Sequence, residues 1–386
     1  MRRLLALTTA LMFLELVFFS VLSPLLPGLK SDLGLSTSQA GLLVAMYAVG
    51  CAVGAIPALL VVVRLGVRRT AIVSVATLGA MSVLFGLAHS YDALLAARFV
   101  QGIAGAACWT AAMLWLLDVA PLDRRGELLG VAFGVSEAGA IAGPAAGGIA
   151  SAAGRSSTFI AIAALCLLLA LVTTRFSAPA PPTEKRLGLR PALASPRIRK
   201  IMWITLLPAI VLAAISVLAP LQQHRLGAGP GEIAVTFSVA AILGILVRPF
   251  YGRWSDRQGP RRPVRIGLLA CAPFVLVVPW MHTRLGTAVF VVLALILIGV
   301  LWAPVMVMLS DACTAEGIAQ LVVVAMMDLT WPPGNIIGSA GGGAIAQGAG
   351  QRVAYLVLAL ALLGGFAALG RGQVSEEEPA AVVTAV

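Results

Sequence analysis

The length, composition and charge of this chain place it in a membrane. Of its 386 residues, 60% are hydrophobic and only 11% are charged, and its mean hydropathy is +0.99. A soluble protein of this length needs a charged surface that this composition cannot supply, which excludes the soluble classes. The net charge of +11 does not indicate a nucleic-acid partner, because the basic residues lie in the short gaps between apolar runs, as the positive-inside rule describes.

The apolar residues form runs of about 20, the length at which a helix spans a bilayer. The sequence lacks the short alternating segments of a closed β-barrel, so the predicted fold class is all-α integral membrane. The first run is interpreted as a membrane helix rather than a signal peptide, because it is long and contains Glu15. We predict twelve spans, at about 4–27, 39–63, 70–89, 92–118, 127–150, 157–176, 200–221, 232–251, 264–282, 286–309, 318–345 and 352–370.

A proline-rich polar stretch divides the chain into two halves. Residues 177–200 contain five prolines and are predicted to be a cytoplasmic linker. The linker joins an N-terminal six-helix bundle, residues 1–176, to a C-terminal bundle, residues 201–371, and residues 372–386 form a tail. Arginines concentrate in the loops on the side of the N-terminus, which predicts that both termini are cytoplasmic.

The two halves repeat each other. Gly34 and the basic block that begins at Arg64 recur 193 residues later as Gly227 and the block that begins at Arg257. The glycines at 139, 143, 147 and 148 recur 195 residues later at 334, 338, 342 and 343. A repeat of six spans predicts two pseudo-symmetric bundles, related by an axis along the membrane normal, with a transport site between them.

Three sequence motifs place charged residues or regularly spaced glycines within the predicted spans or in the loops beside them. Between spans eight and nine, a GxxxDRxGxRR pattern comprises Gly252, Asp256, Arg257, Gly259 and Arg261; a carboxylate beside a helix end and several arginines can form a charge latch. Span four contains an RxxQGxxxA pattern that begins at Arg98. Span five contains a glycine pattern with one proline, at Gly130, Gly139, Gly143, Pro144, Gly147 and Gly148.

These motifs resemble those of the major facilitator superfamily, and the resemblance covers nearly the whole chain. The pattern of span five is similar to the antiporter motif of the twelve-span drug:proton antiporters, the multidrug and antibiotic efflux family. The resemblance implies the fold of that superfamily, a monomer in the cell inner membrane, and proton transfer linked to Arg98. The first-half copy of the loop motif departs from the pattern, with Leu59 for the glycine and Val63 for the aspartate, so its latch is in doubt.

Three acids lie near the middle of predicted spans. Glu15, Glu137 and Asp328 are each roughly 16 Å from the cytoplasmic end of their helix, at about 1.5 Å per residue. A carboxylate at that depth is costly unless it is protonated, paired or hydrated, so we predict proton coupling through these acids and Arg98. Two alternatives stay open. One acid forms a permanent structural bridge with Arg98, or Arg98 extends to the nearby membrane surface.

Aromatic residues are predicted to line a substrate cavity together with two of the acids. The predicted cavity set is Glu15, Trp109, Trp115, Trp302, Asp328 and Trp331. Packing or anchoring at the membrane surface is the alternative for each tryptophan. The Trp331-Pro332-Pro333 sequence is predicted to break or bend span eleven near Asp328.

The predicted function is a secondary active transporter: a proton-coupled antiporter that exports small organic molecules by alternating access. Its partners are then a small-molecule substrate, protons and the lipid bilayer, with no cofactor, and the spacing of cysteine and histidine predicts no metal site. The alternative is an uptake symporter or facilitator for a small metabolite anion with the same fold, in which Arg98 binds the substrate. A receptor or scaffold would not need paired repeats with mid-membrane acids, and the sequence shows no catalytic constellation that would make it an enzyme.

Overall fold

The computed structural model describes residues 2–119, 125–177, 193–318 and 320–370, and within these residues the regular structure is helical, with no strand. The helices of the N-terminal half are α1 (Arg2–Ser20), α2 (Leu26–Asp32), α3 (Thr37–Leu65), α4 (Val67–Leu87), α5 (Tyr91–Val119), α6 (Arg125–Ser136), α7 (Gly139–Ala153) and α8 (Arg155–Thr173). Those of the C-terminal half are α9 (Pro196–Arg225), α10 (Pro230–Gln258), α11 (Arg261–Val277), α12 (Arg284–Gly299), α13 (Trp302–Ala315), α14 (Gln320–Ile336), α15 (Gly342–Gly348) and α16 (Gln351–Gly370).

Helices occupy the positions of the predicted spans. In the described part of the chain, 10 helical segments are long and apolar enough to cross a membrane. They correspond to predicted spans one to four, six to ten, and twelve, which confirms an all-α membrane fold. The count of twelve is not established, because spans five and eleven are each divided, as α6 and α7 and as α14 and α15.

Several helices end or change pitch inside the predicted spans. Predicted span one ends early, at Ser20, and α2 follows a short turn that contains Pro24. In span ten, α12 ends at Gly299, and α13 begins just before Pro304, whose nitrogen cannot donate to the preceding turn. The structure contradicts a break of span eleven at Trp331-Pro332-Pro333, whereas the alternative, a bend there, stays a prediction. Helix α14 continues through both prolines, and a π-helical turn follows at residues 337–341.

The predicted linker is shorter at its C-terminal end than expected. Helix α9 begins at Pro196, where the side chain of Ser195 accepts a hydrogen bond from the amide of Ile198 and so caps the helix. Residues 178–192 of the linker lie outside the described residues, as do residues 371–386, which include the whole predicted tail. The predicted domain boundaries therefore stay a prediction.

Successive spans alternate in direction, so the loops between spans gather at two faces. One face, which we call the basic face, contains the loops after α3 and α10, where Gly66 and Gly259 both have positive φ (81° and 75°). At the opposite face, the far face, Tyr91 at the start of α5 donates to the carbonyl of Gln39 at the start of α3, 2.8 Å away. The guanidinium of Arg261 donates to the carbonyl of Leu369 and ties α11 to the end of α16 at the basic face.

In each half, a glycine of the repeat packs closely against the first span of that half. A Cβ atom on Gly147 would lie 2.2 Å from the carbonyl oxygen of Val21 in the turn after α1. A Cβ atom on Gly338, in the second half, would lie 2.1 Å from the carbonyl oxygen of Ile210 in α9. The glycines therefore allow a divided helix to lie directly on the first helix of its own half.

The neighbouring glycines of the repeat face the other half of the molecule. A Cβ atom on Gly148 would lie 2.9 Å from the Cβ atom of Ala234 in α10, and a Cβ atom on Gly343 would lie 3.2 Å from the Cα atom of Gly41 in α3. The backbone amide of Thr37 donates to the side chain of Gln347 across the same junction, at 2.9 Å. Two pseudo-symmetric crossings, of α7 with α10 and of α3 with α15, thus close the far face.

Candidate functional site

Glu15 lies at the centre of a buried polar group in the N-terminal half. Its side chain is 7% exposed, and the hydroxyl of Tyr47 in α3 donates to its Oε1 atom at 2.9 Å. Gly105 in α5 makes room for the pair, because a Cβ atom there would lie 2.4 Å from the Tyr47 hydroxyl. Three helices therefore hold one carboxylate at mid-membrane depth with a directed donor.

Arg98 is the second buried charge of this group. It is 2% exposed, and its guanidinium carbon lies 4.5 Å from the centre of the Tyr47 ring, a cation–π distance. One of its nitrogens donates to the carbonyl of Phe18 at 2.8 Å. Phe18 is in the last turn of α1, where carbonyls lack intrahelical partners. Arg98 therefore points into the protein and does not extend to the membrane surface.

An aromatic contact joins this group to the C-terminal half. The ring of Phe19, one residue after Phe18, lies 4.8 Å from the ring of Trp331 in α14, measured between centroids. On its other side, Phe19 lies 6.2 Å from the ring of Tyr47. A continuous line of rings thus runs from the Glu15 donor to the opposite half. Of the predicted cavity residues, Glu15 and Trp331 are thus linked indirectly, through Tyr47 and Phe19.

Of the other predicted cavity tryptophans, Trp109 and Trp115 belong to the core of the N-terminal half, and Trp302 lies in the C-terminal half. Trp109 is partly buried, and its ring lies 5.7 Å from that of Phe133 in α6. Trp302 is partly buried beside an apolar cluster of the C-terminal half that includes Leu309. Trp115 is fully buried in the core of the N-terminal half. This position favours the packing role for Trp115 that the sequence left open.

Glu137 forms an ion pair that joins the halves. It lies in the turn between α6 and α7, and its Oε1 atom is 2.7 Å from a guanidinium nitrogen of Arg248 in α10. The two side chains are 27% and 31% exposed, so the pair is only partly shielded. The pair adds to the contact between α7 and α10, in which the hydroxyl of Ser238 also donates to the carbonyl of Ile141 at 3.1 Å.

The far-face junction also brings like charges together. Lys30 of α2 and Arg225 of α9 line one cleft between the halves. Burial lowers the pKa of the Lys30 ammonium, and the charge of Arg225 lowers this pKa further. The far-face junction therefore carries two positive charges in one cleft.

Two predicted residues cannot be placed in the site. The side chain of Asp328 lies outside the described residues, although its backbone is in α14, one turn before Trp331. The side chain of Asp256 also lies outside them, so the predicted charge latch stays a prediction. In the same loop motif, Gly252 and Gly259 have open space around them, Arg257 is exposed and Arg261 bonds to Leu369.

Sequence reasoning missed Tyr47 and Arg248. Tyr47 belongs to none of the three motifs, and its role depends on where α3 crosses α5. Arg248, by contrast, lies inside predicted span eight, so the rule that singled out Arg98 applies to it equally. In the described part of the chain, no group of three histidine, cysteine, aspartate or glutamate side chains could hold a metal ion.

Two helical halves that close over each other at one face, with buried charges in one half and an ion pair between them, are typical of a membrane transporter. The chain belongs to the major facilitator superfamily, whose family model matches residues 8–327. Members of this family are transporters, so the protein is a multi-pass membrane transporter and not an enzyme.

Several known proteins are similar to this chain. The chloramphenicol resistance protein of Streptomyces lividans is 30% identical over 281 residues, which cover 67% of each chain. Multidrug resistance protein 2 of Bacillus subtilis is 23% identical over 353 residues and 86% of each chain. A solved structure of a bacterial homolog of the human lysosomal transporter Spinster has a TM-score of 0.80 at 18% identity, and the match covers 95% of this chain and 96% of that one.

Proposed function

We propose that this protein is a proton-coupled antiporter that exports small organic molecules across the cell membrane. The observation that supports it best is Glu15, a buried carboxylate held by the Tyr47 hydroxyl beside the ring contact that joins the halves. A carboxyl group at that place can take up a proton, and a substrate bound between the halves can change how readily it does so. The relatives named for resistance to chloramphenicol and to multiple drugs support export rather than uptake.

In this proposal, Glu15 exchanges a proton for the substrate. Apolar and aromatic parts of the substrate contact Trp331 and Phe19, and a cationic group of the substrate replaces the proton as the neighbour of the carboxylate. Asp328, one turn before Trp331 in α14, is the second candidate carrier. Arg98 holds the end of α1 and the Tyr47 ring in place, and so positions the Glu15 donor.

The ion pair of Glu137 and Arg248 couples charge to the position of the halves. When both side chains are charged, the pair stabilises the arrangement in which the far face is closed. A proton on Glu137 removes the attraction and favours separation of α7 from α10. With the basic face in the cytoplasm, the arrangement described here is closed to the outside. We further propose that a single chain carries out the whole cycle.

The test is proton flux in proteoliposomes that contain a pH-sensitive dye. A panel of cationic and neutral drugs, with chloramphenicol among them, is added under a pH gradient. We expect substrate-dependent proton movement that Glu15→Gln abolishes, while binding of a neutral drug persists and binding of a cationic drug weakens.

A matched control separates a role for Glu15 from a general effect of removing an acid. Glu232 is an exposed acid at the far face that pairs with Arg284 at 3.3 Å, so Glu232→Gln should leave the flux unchanged. Uptake of a labelled organic anion without proton movement in response to any drug would overturn the export proposal. It would favour the anion symporter or facilitator.

A further inference from the structure

A groove on the outside of the C-terminal half has the form of a lipid site. It lies between α9 and α16, at the end of both helices nearest the basic face, and has a volume of about 510 Å³. Two basic side chains, Arg199 and Lys200, line its mouth. Its floor consists of apolar residues, most of them alanine or glycine: Ile204, Leu207, Ala361, Gly364, Gly365 and Ala368.

The groove has basic residues at the level of the membrane surface and apolar residues at the level of the lipid acyl chains. Trp203, which is 70% exposed, lies seven residues into α9, about 10 Å from its start at 1.5 Å per residue. Leu207 lies one turn deeper, so the groove extends from the level of the headgroups into the acyl region. An exposed tryptophan beside basic residues is the pattern of a membrane-surface anchor.

Two adjacent glycines give the groove its shape, in different ways. A Cβ atom on Gly365 would lie 2.3 Å from a methyl carbon of Leu207, so this glycine lets α16 approach α9 closely. A Cβ atom on Gly364 would meet nothing within 4 Å. Gly364 therefore leaves an open notch in the groove, which a slender chain can fill and which a larger side chain would block.

We propose that this groove binds an anionic phospholipid, with the headgroup phosphate on Arg199 and Lys200 and one acyl chain along Gly364 and Leu207. Charge complementarity selects the headgroup, because basic pockets between membrane helices near the cytoplasmic surface bind anionic lipids. The apolar floor selects a lipid over a free anion, which would occupy only the mouth. This site is separate from the buried group of Glu15 and does not depend on which substrate is transported.

The experiment measures lipid binding to the purified full-length chain by native mass spectrometry, with phosphatidylglycerol or phosphatidylcholine titrated into the detergent. We expect the wild-type chain to bind phosphatidylglycerol more tightly than phosphatidylcholine. The double substitution Arg199→Gln and Lys200→Gln should weaken phosphatidylglycerol binding about thirty-fold, because each basic side chain near an anionic lipid contributes about a factor of five. Gly364→Leu should weaken binding of the same lipid while keeping both charges.

The control is Arg197→Gln, which removes an exposed charge from the same turn of α9 without touching the groove. All variants have to elute as the wild-type peak in gel filtration, so a loss of binding is not a loss of folding. Equal weakening by Arg197→Gln and by the double substitution would mean a diffuse surface charge and overturn the proposal. So would full binding by Gly364→Leu.

The acidic tail of this chain is the other occupant that charge would allow. Glu376, Glu377 and Glu378 follow α16 in the sequence. If the tail fills the groove, changing all three to glutamine should increase phosphatidylglycerol binding several-fold. That increase would overturn the lipid assignment, and unchanged binding supports it.

Discussion

At the residue scale, the contacts of Arg98 depend on the shape of its guanidinium group as well as on its charge. The guanidinium both donates to the Phe18 carbonyl and lies over the Tyr47 ring. A lysine ammonium is a compact point charge and cannot match both contacts from the same place. We therefore predict that Arg98→Lys lowers substrate-dependent proton flux at least about tenfold, the effect of losing one hydrogen bond to a charged group. If Arg98→Lys transports normally, only the charge matters and the positioning role is wrong. Arg225→Lys, an exposed arginine that bonds to Gln351, serves as the control.

The ion pair between Glu137 and Arg248 is best tested as a pair. Either Glu137→Gln or Arg248→Gln leaves the other charge unpaired and should favour separation of the halves at the far face. The double substitution should recover part of this loss, with a coupling free energy of about 0.5–3 kcal/mol.

A single cysteine at position 37 can report the separation. Thr37 is buried where its amide bonds to Gln347 of the other half, so Thr37→Cys should react with a thiol reagent only when the far face opens. The five native cysteines are buried, which keeps the background low. Equal reaction rates in the single and double variants would mean that the two side chains do not act together.

At the element scale, the glycine repeat predicts unequal costs at equivalent positions. Gly147 and Gly342 correspond in the repeat, but a Cβ atom on Gly147 meets the Val21 carbonyl oxygen at 2.2 Å, whereas one on Gly342 meets the Ala214 side chain at 3.2 Å. The contact at 3.2 Å needs a shift of only a few tenths of an ångström, whereas the contact at 2.2 Å requires a larger movement of the backbone. Gly147→Ala should therefore lower the free energy of unfolding by about 1–3 kcal/mol, the usual cost of overpacking, and Gly342→Ala by less.

Thermal unfolding in detergent, followed by loss of the monodisperse gel-filtration peak, measures this difference. Gly134→Ala in α6 is the control, because a Cβ atom there meets nothing within 4 Å. Alanine in place of glycine in a helix should leave the melting temperature unchanged or raise it. A larger loss for Gly342→Ala than for Gly147→Ala would contradict the packing described here.

The sequence predicted helices and the repeat of the two halves better than it predicted contacts between distant residues. Span positions follow from hydropathy, which is a local property, and the glycine repeat that contains Gly147 is visible in residue spacing alone. The rule that singled out Arg98 applies to Arg248 as well, but its pairing with Glu137 could not be predicted, because the two residues are 111 positions apart in the sequence. The Tyr47 donor was missed because α3 places it on Glu15 only through the crossing with α5. The breaks at Ser20 and Gly299 depend on local carbonyl and proline geometry that hydropathy does not report.

At the scale of the whole molecule, two glycines at the far face pack against the opposite half of the protein and not against the core of their own half. A Cβ atom on Gly41 would lie 2.3 Å from the carbonyl oxygen of Ser339, and each of the nearest atoms belongs to the C-terminal half. A Cβ atom on Gly148 likewise meets only Ala234 and Pro230 of the other half. A larger residue at either position thus obstructs closure while each half keeps its own core.

We predict that Gly41→Val gives a folded protein that stays open at the far face and transports at least about tenfold more slowly, because a shift of about 1.4 kcal/mol between the two arrangements is a factor of ten in population. Thiol reactivity of Thr37→Cys should rise in this background, and the melting temperature should change little. Gly28→Val is the control at the same face, since Gly28 has open space around it. If Gly41→Val instead unfolds the protein, the contact between α3 and α15 is part of one rigid core, and alternating movement of the halves at this face is wrong. If the variant transports normally with low thiol reactivity, closure of the far face does not require the approach of Gly41 to Ser339.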